Sequence, residues 1–180
     1  TEGGVEIRYV AADSIIEQDA LQVLYVKNGS PAKRAGMKRG DLITKVNGAT
    51  LNPTNIGSSI SAMRSNHTLV YRTYDRVNNR YDEQPEIALD VEVIAENPNF
   101  LDTVYTLEWG EKVGYYVYHF FDDGIAGNEY DEEMDAVFAR FQAQGITDLI
   151  VDFRYNGGGL VSSSRNLASL IGPNVGNKIF

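Results

Sequence analysis

Three consecutive glycines, 157–159, are the residues whose setting most clearly suggests chemistry. The apolar, β-branched run from Ile146 to Phe153 predicts a buried strand that leads into them, and Leu160 then opens a helical pattern. A strand, a glycine-rich loop and a helix start together present bare backbone N–H groups to an anion or to a developing oxyanion. The loop is therefore the first candidate for an active-site element.

No nucleophile and base follow this loop in a recognisable pattern. The hydroxyl groups next to it, Ser162, Ser163 and Ser164, are better explained as a helix N-cap and surface, and Lys178 is the only later lysine. His67 lies in a predicted polar turn and His119 in an apolar strand, so a Ser–His–Asp triad is poorly supported. We expect the sequence to hold part of an active site, with its nucleophile and base absent from the chain.

Other kinds of site find little support in the sequence. There is no cysteine and no His/Asp/Glu cluster with metal-ligand spacing, so we expect no metal. We also expect no cofactor, because the glycine loop lacks the Gly-Lys-Ser/Thr of a P-loop and the spacing of a dinucleotide fingerprint. The acidic segment from Asp122 to Asp131 does not match an EF-hand loop, and an acidic loop before a helix explains it better.

Charge divides the 180 residues into two unlike parts. Residues 1–85 hold 11 Lys and Arg against 9 Asp and Glu, whereas residues 86–180 hold 5 against 16. This asymmetry predicts two units, and the acidic half argues against a nucleic-acid partner, whose phosphates require Lys and Arg. No apolar run approaches the roughly 20 residues that span a bilayer.

Residues 21–74 alternate strand, turn and helix signals. Leu21 to Val26 predicts a strand, Ser30 and Pro31 predict the capped start of a short helix, and Asn47-Gly48 predicts a tight turn. A helical stripe follows in Ile56, Ile60 and Met63 at i, i+4 and i+7. The polar stretch from residue 76 to 86 predicts a hairpin loop or linker, and Ile87 to Ile94 alternates as a half-buried strand should.

The turns of this first unit resemble those of PDZ domains, especially the permuted PDZ domains inside bacterial proteases. The resemblance rests on Gly29-Ser-Pro-Ala-Lys-Arg-Ala-Gly36, Gly40-Asp-Leu-Ile43 and Val46-Asn-Gly48. It implies a small PDZ-like β-barrel with short helices that binds peptide C-termini by adding a strand to a sheet edge. By analogy Ile56, Ile60 and Met63 lie beside the peptide groove, where core packing is the alternative role. Gly3-Gly4-Val5 is the nearest candidate for the carboxylate-binding loop.

The second half predicts a β–α–β layer. Lys112 to Phe121 predicts a buried strand, and Tyr130, Met134, Val137, Phe138 and Phe141 form a helical stripe that ends at Gly145. With the strand from Ile146, this pattern implies a parallel pair of strands with a right-handed crossover. A further helical face spans Ser164 to Ile171.

The strand and loop of this half read Asp152-Phe-Arg-Tyr-Asn-Gly-Gly-Gly159, and this segment resembles one from the opening of the C-terminal processing, or tail-specific, serine peptidases. Asp152, Phe153, Arg154, Asn156, Gly158 and Gly159 match the family's Asp-Leu-Arg-x-Asn-x-Gly-Gly, with Phe153 in place of the usual Leu. The resemblance implies a crotonase- or Clp-like α/β core, peptide cleavage by a Ser–Lys dyad, and an oxyanion N–H from Gly158 or Gly159. It implies that Arg154 and Asn156 brace the loop. The dyad's Ser and Lys would follow the glycine motif at a distance, beyond Phe180.

Together these signals predict an α+β and α/β chain with a PDZ-like peptide-binding domain over 1–95 and the N-terminal part of a serine peptidase core over 96–180. The family analogy implies a bacterial periplasmic or cell-envelope protein, with a lipoprotein parent as one form. The alternative is a non-catalytic peptide-binding or scaffold protein with a degenerate peptidase-like domain. An exposed sheet edge in the second half also makes a homodimer or strand exchange an expectation.

Overall fold

The computed structural model describes residues 2–172 and divides into two compact units, Thr1–Glu96 (unit 1) and Asn97–Phe180 (unit 2). Each unit buries its own apolar cluster. The architecture is mixed α and β, as the sequence predicts, with most strands in unit 1. Among the described residues, no helix combines the length and the apolar character needed to cross a membrane.

Unit 1 is built on one seven-stranded sheet with two short helices. The main strand order is β1-β2-β3-β5-β6, with β4 paired to β3 and β7 paired to β5. The strands are Val5–Val10 (β1), Ala20–Val26 (β2), Leu42–Val46 (β3), Ala49–Thr50 (β4), His67–Asp75 (β5), Arg80–Glu83 (β6) and Ile87–Leu89 (β7), and the helices are Pro31–Arg34 (α1) and Ile56–Ala62 (α2). Because β1 pairs only with β2, its outer edge has no partner strand within the described unit.

Local signals placed most of these elements correctly. Ser30 caps α1 by accepting the N–H of Lys33, and Pro31 occupies the first helical position, where its missing N–H has no helical partner to lose. Two expectations need correction. The predicted strand from Ile87 to Ile94 is a strand only over Ile87–Leu89, and the stretch from 76 to 86 contains β6.

Unit 2 contains a three-stranded sheet of order β10-β9-β8 and two helices. The elements are Asn99–Thr106 (β8), Lys112–Tyr118 (β9), Glu129–Gln144 (α3), Asp148–Asp152 (β10) and Val161–Ile171 (α4). β10 runs parallel to β9, so the predicted β–α–β unit is confirmed. Fully buried aromatic side chains from β9, Tyr116 and Tyr118, pack with Phe141 of α3 to form the centre of this core.

The start of α4 differs from the prediction. Its N-cap is Leu160, with no capping side chain, because the chain enters the helix directly from the glycine loop. Ser163 is instead completely buried, and its hydroxyl group donates a 3.2 Å hydrogen bond to the carboxylate of Asp131 on α3. Burial raises the pKa of Asp131 above its usual range. This contact ties α4 to α3, a role that the serine run did not reveal.

Candidate functional site

The glycine loop of unit 2 follows β10 and is held in place by the end of β9 and the segment just beyond it. Phe121 donates its N–H to the Gly158 carbonyl over 2.9 Å, and its own carbonyl accepts the N–H of Leu160 over 2.8 Å. These bonds form a short parallel bridge between Phe121 and Gly159. The loop therefore continues the parallel pairing of β9 and β10 past the ends of both strands.

Only glycine fits at position 159. Its φ is +138°, and a Cβ built there would lie 2.0 Å from the carbonyl oxygen of Phe121. Gly158, with φ of +96°, faces open space, so its requirement is conformational rather than steric. The sequence motif thus contains two glycines that are needed for different physical reasons.

The two candidate N–H groups differ in their availability. The N–H of Gly158 donates to Asn156 Oδ1 over 2.8 Å, so it is already engaged. No hydrogen bond among the described residues is donated by the N–H of Gly159. Because C=O and the following N–H point in opposite directions across a trans peptide, the bond from Phe121 to the Gly158 carbonyl turns the Gly159 N–H away from Phe121. Gly159 is solvent-exposed, and its N–H has no acceptor among the described residues.

Asn156 braces this loop, whereas Arg154 is held against the strands that precede it. Besides accepting from Gly158, Asn156 donates through Nδ2 to the Tyr118 carbonyl over 3.0 Å, which fastens the loop to the end of β9. Arg154 Nε lies 2.9 Å from the Asp152 carboxylate, which also accepts the Tyr115 hydroxyl over 2.5 Å. These hydrogen bonds, with that from Arg154 the strongest, hold the pKa of Asp152 well below its usual range. The side-chain hydrogen bonds of Asn156 and Arg154 therefore run to other residues of unit 2.

A second glycine loop lies at the start of unit 1. The carbonyl of Gly3 accepts the Ala32 N–H over 3.0 Å, and the carbonyl of Gly4 accepts the Lys27 N–H over 2.8 Å. By the same trans-peptide geometry, the N–H groups of Gly4 and Val5 point away from these partners. Gly4, with φ of +87°, is buried, and a Cβ there would lie 2.0 Å from that of Ser30. Because successive N–H groups of this kind bind carboxylates in other proteins, the loop stays a candidate for the carboxylate-binding loop.

Charged and polar side chains surround this second loop, together with the apolar Leu89 and Ile94. Lys27 Nζ lies 2.8 Å from the carboxylate of Glu2, directly before the loop, and 2.7 Å from that of Glu96. Burial alone would lower the pKa of Lys27, but its hydrogen bonds to both carboxylates outweigh burial and raise it. His67, which the sequence placed in a polar turn, is 4% exposed at the start of β5, with its ring against Gly3. These supports come from residues distant in sequence, which is why sequence reasoning missed them.

The apolar residues predicted beside the peptide groove occupy three different settings. Met63 is buried in the core directly after α2, Ile56 is partly buried against that core, and Ile60 is 36% exposed. Val5 and Ile7 of β1 also pack partly exposed against the same cluster. A role for Ile56, Ile60 and Met63 in binding stays a prediction, with Ile60 the most accessible of them.

Family models match both halves of the chain. Residues 22–76 match the PDZ domain, and residues 112–178 match peptidase family S41. Curated relatives from Staphylococcus aureus, described as probable CtpA-like serine proteases, are 27% identical over 164 residues in strain COL and 26% over 162 in strain N315. The match covers 89% of this chain but 30% of each relative, so the chain spans less than a third of their length.

Solved structures show the same fold. A putative S41 protease from Bacteroides fragilis superposes with a TM-score of 0.75 at 23% identity, over 91% of this chain and 43% of that one. The photosystem II D1 C-terminal processing protease gives 0.57 at 22% identity, over 93% of this chain and 43% of that one. The resemblance drawn from the sequence is thereby confirmed: one part of the chain matches the PDZ domain, a second part matches peptidase family S41, and the similar solved structures include an S41 protease and a C-terminal processing protease.

Proposed function

We propose that this chain is the substrate-binding and oxyanion-binding part of a PDZ-containing C-terminal processing serine endopeptidase. Residues 1–95 form the peptide-binding domain and residues 96–180 the N-terminal part of the peptidase core. Cleavage is proposed for a protein in which these residues are joined to the rest of a peptidase domain with a Ser–Lys dyad. The observation that carries the proposal is the Gly159 N–H, exposed and without an acceptor among the described residues, in a loop fixed on both sides.

In this proposal the Gly159 N–H stabilises the oxyanion that forms when the serine attacks the scissile carbonyl. A preorganised donor costs no reorganisation when charge develops, and losing one typically costs about 10²–10³ in rate. The engaged N–H of Gly158 makes it the weaker of the two candidates. Asn156 acts as a positioning residue, because it holds the loop through the Gly158 N–H and the Tyr118 carbonyl.

Peptide hydrolysis by the full-length gene product tests the catalytic part. Replacing Asn156 with Ala should lower kcat about tenfold with little change in KM, since the loop would sample positions in which the donor is misdirected. Replacing the exposed Arg165 with Gln is the matched control and should leave both constants unchanged. An unchanged kcat in the Asn156 variant would contradict the oxyanion role of this loop.

The peptide-binding part assigns the Gly4 and Val5 N–H groups to the C-terminal carboxylate of a substrate tail, which adds a strand along the open edge of β1. Micromolar affinity for peptides with a free C-terminus, lost on amidation, is the expected behaviour. In ¹⁵N NMR spectra the amide signals of Gly4 and Val5 should shift on titration, while those of Gly40, in the turn before β3, and Gly110, in unit 2, should stay. Equal affinity for free and amidated peptides would contradict carboxylate capture.

The alternative function is peptide binding without catalysis, and the second glycine loop is the observation that favours it. The hydrogen bonds that hold this loop all come from described residues of unit 1, so peptide binding needs no further residues. Hydrolysis needs a nucleophile and a base in addition. A full-length protein that binds tails but cleaves no peptide would establish this alternative. The family analogy further supports a periplasmic or cell-envelope location, which protease accessibility in intact cells would test.

A further inference from the structure

A cleft with an excess of positive charge lies toward the β6 end of unit 1, at the opposite end of the main strand order from β1. Two adjoining hollows of about 580 and 560 Å³ lie between the β5–β6 hairpin, the loop after β1 and the turn before β3. Five cationic side chains line them, and we call this surface the basic cleft: Lys38, Arg39, Arg72, Arg76 and Arg80.

Most of the negative charge in the basic cleft is already engaged. Asp41 is 1% exposed and accepts the Lys38 N–H over 2.8 Å, and Asp82 pairs with Arg80 over 2.8 Å. Neither Lys38 nor Arg76 forms a salt bridge with any residue in the described part of the chain. Positive charge without an ion-pair partner among the described residues therefore remains at two exposed positions that line the same hollow.

Arg72 adds a buried donor to this excess. Its Nε is buried with no hydrogen-bond partner in the described residues, and its Nη1 lies 3.5 Å from Glu17, whose side chain is 72% exposed. Arg72 lines the other hollow, the one of about 580 Å³. A buried guanidinium donor without an acceptor is costly, and a carboxylate is the acceptor that matches its fork.

The same apolar and aromatic side chains line both hollows, and we call this shared wall the apolar divide. Ile15, 67% exposed, and the rings of Tyr74 and Tyr81, whose centroids are 5.1 Å apart, line both. A ligand that spans the divide must therefore present apolar surface between its charges. Alternation of carboxylates with flat or aliphatic groups is a property of acidic peptide segments.

We propose that the basic cleft is a second binding site, which takes an extended acidic peptide segment with aromatic or aliphatic side chains between its carboxylates. The site does not depend on the capture of C-termini proposed above, since it lies at the other end of the sheet. Nucleic acid fits less well, because the chain carries a net charge of −9 and Glu17 and Asp82 stand among the cations.

Fluorescence anisotropy with a labelled, C-terminally amidated peptide of alternating glutamate and tyrosine tests the proposal. Amidation removes the group that the glycine loop of unit 1 would recognise, so binding reports on the basic cleft alone. The whole chain should bind saturably, and the affinity should fall as salt rises through the range where the Debye length is about 10 Å. The double variant Lys38→Gln/Arg76→Gln, at two exposed positions, should bind about tenfold more weakly.

The control is Arg140→Gln/Arg165→Gln in unit 2, which removes the same charge from α3 and α4 and should bind as the unmodified protein does. An excess of an apolar peptide with a free C-terminus should leave the labelled peptide bound. Equal weakening by both double variants, the absence of saturable binding, displacement by that apolar peptide, or equally effective displacement by single-stranded DNA of the same charge would each overturn the proposal.

Discussion

The glycine loops of the two units each turn a backbone N–H away from the residues that hold the loop, but different groups hold them. In each, a carbonyl is fastened to its own unit, by Ala32 N–H in unit 1 and by Phe121 N–H in unit 2, and the next N–H is thereby turned away. The unit 1 loop is fastened mainly by two backbone N–H groups, that of Ala32 in α1 and that of Lys27 directly after β2, with a long 3.4 Å hydrogen bond from the Ser30 hydroxyl group to the Gly4 carbonyl. The unit 2 loop depends more on one side chain, because Asn156 makes two hydrogen bonds of 2.8 and 3.0 Å to it and to the end of β9. In both loops the direction of the N–H is therefore set by a hydrogen bond to the preceding carbonyl and not by a shared sequence motif.

Replacing Gly159 with Ala should have the largest effect. The added Cβ would meet the Phe121 carbonyl oxygen at 2.0 Å, and the positive φ adds strain, so unit 2 should lose about 3 kcal/mol of unfolding free energy. Gly157→Ala, where a Cβ meets open space, is the control and should change it by less than about 1 kcal/mol. Denaturant unfolding measures both, and equal losses would show that the Phe121 contact does not fix the loop.

Replacing Lys27 with Met should weaken unit 1 by about 2 kcal/mol, because Glu2 and Glu96 would face each other without the cation that both contact. The N–H of residue 27 would still bind the Gly4 carbonyl, so the loop itself should keep its direction. Arg64→Gln, an exposed change on the same unit, is the control. If Lys27→Met instead abolished the affinity for free C-termini at full stability, the side chain and not the backbone would orient this loop.

Replacing Asn156 with Ala should cost unit 2 about 1 kcal/mol, since two hydrogen bonds between neutral groups are lost from a partly exposed site. Amide hydrogen exchange should show the Gly158 N–H losing its protection while the Leu160 N–H, bonded to Phe121, keeps its own. Unchanged protection at Gly158 would mean that the Asn156 side chain does not hold the unit 2 loop in place.

The smallest expected effect is the loss of unfolding free energy of unit 2 in acid. Hydrogen bonds from Arg154 and Tyr115 lower the pKa of Asp152, so its contribution to stability is present above its unfolded pKa of about 4 and is lost as pH falls below that value. Urea unfolding should show the stability of unit 2 falling as the solution is acidified, and Arg154→Gln should flatten part of this fall. Arg165→Gln should keep the slope of the unmodified protein, and two identical slopes would contradict the assignment.

Local chemistry explains which features the sequence could predict. Ser30 and Pro31 mark the start of α1 within a few residues, and the apolar periodicity of α3 needs no tertiary information. The steric demand at Gly159 could not be predicted, because the Phe121 carbonyl that imposes it is distant in the chain. The same holds for Ser163, whose partner Asp131 lies on another helix.

Lys27 holds residues from both ends of unit 1 with one ammonium group. Glu2 and Glu96 are far apart in the sequence, and both contact the same ammonium group, so these two segments lie side by side. Domains whose terminal segments lie close together tolerate insertion into other sequences. The ion triad fixes such a closeness between the first described residues of unit 1 and its last residue.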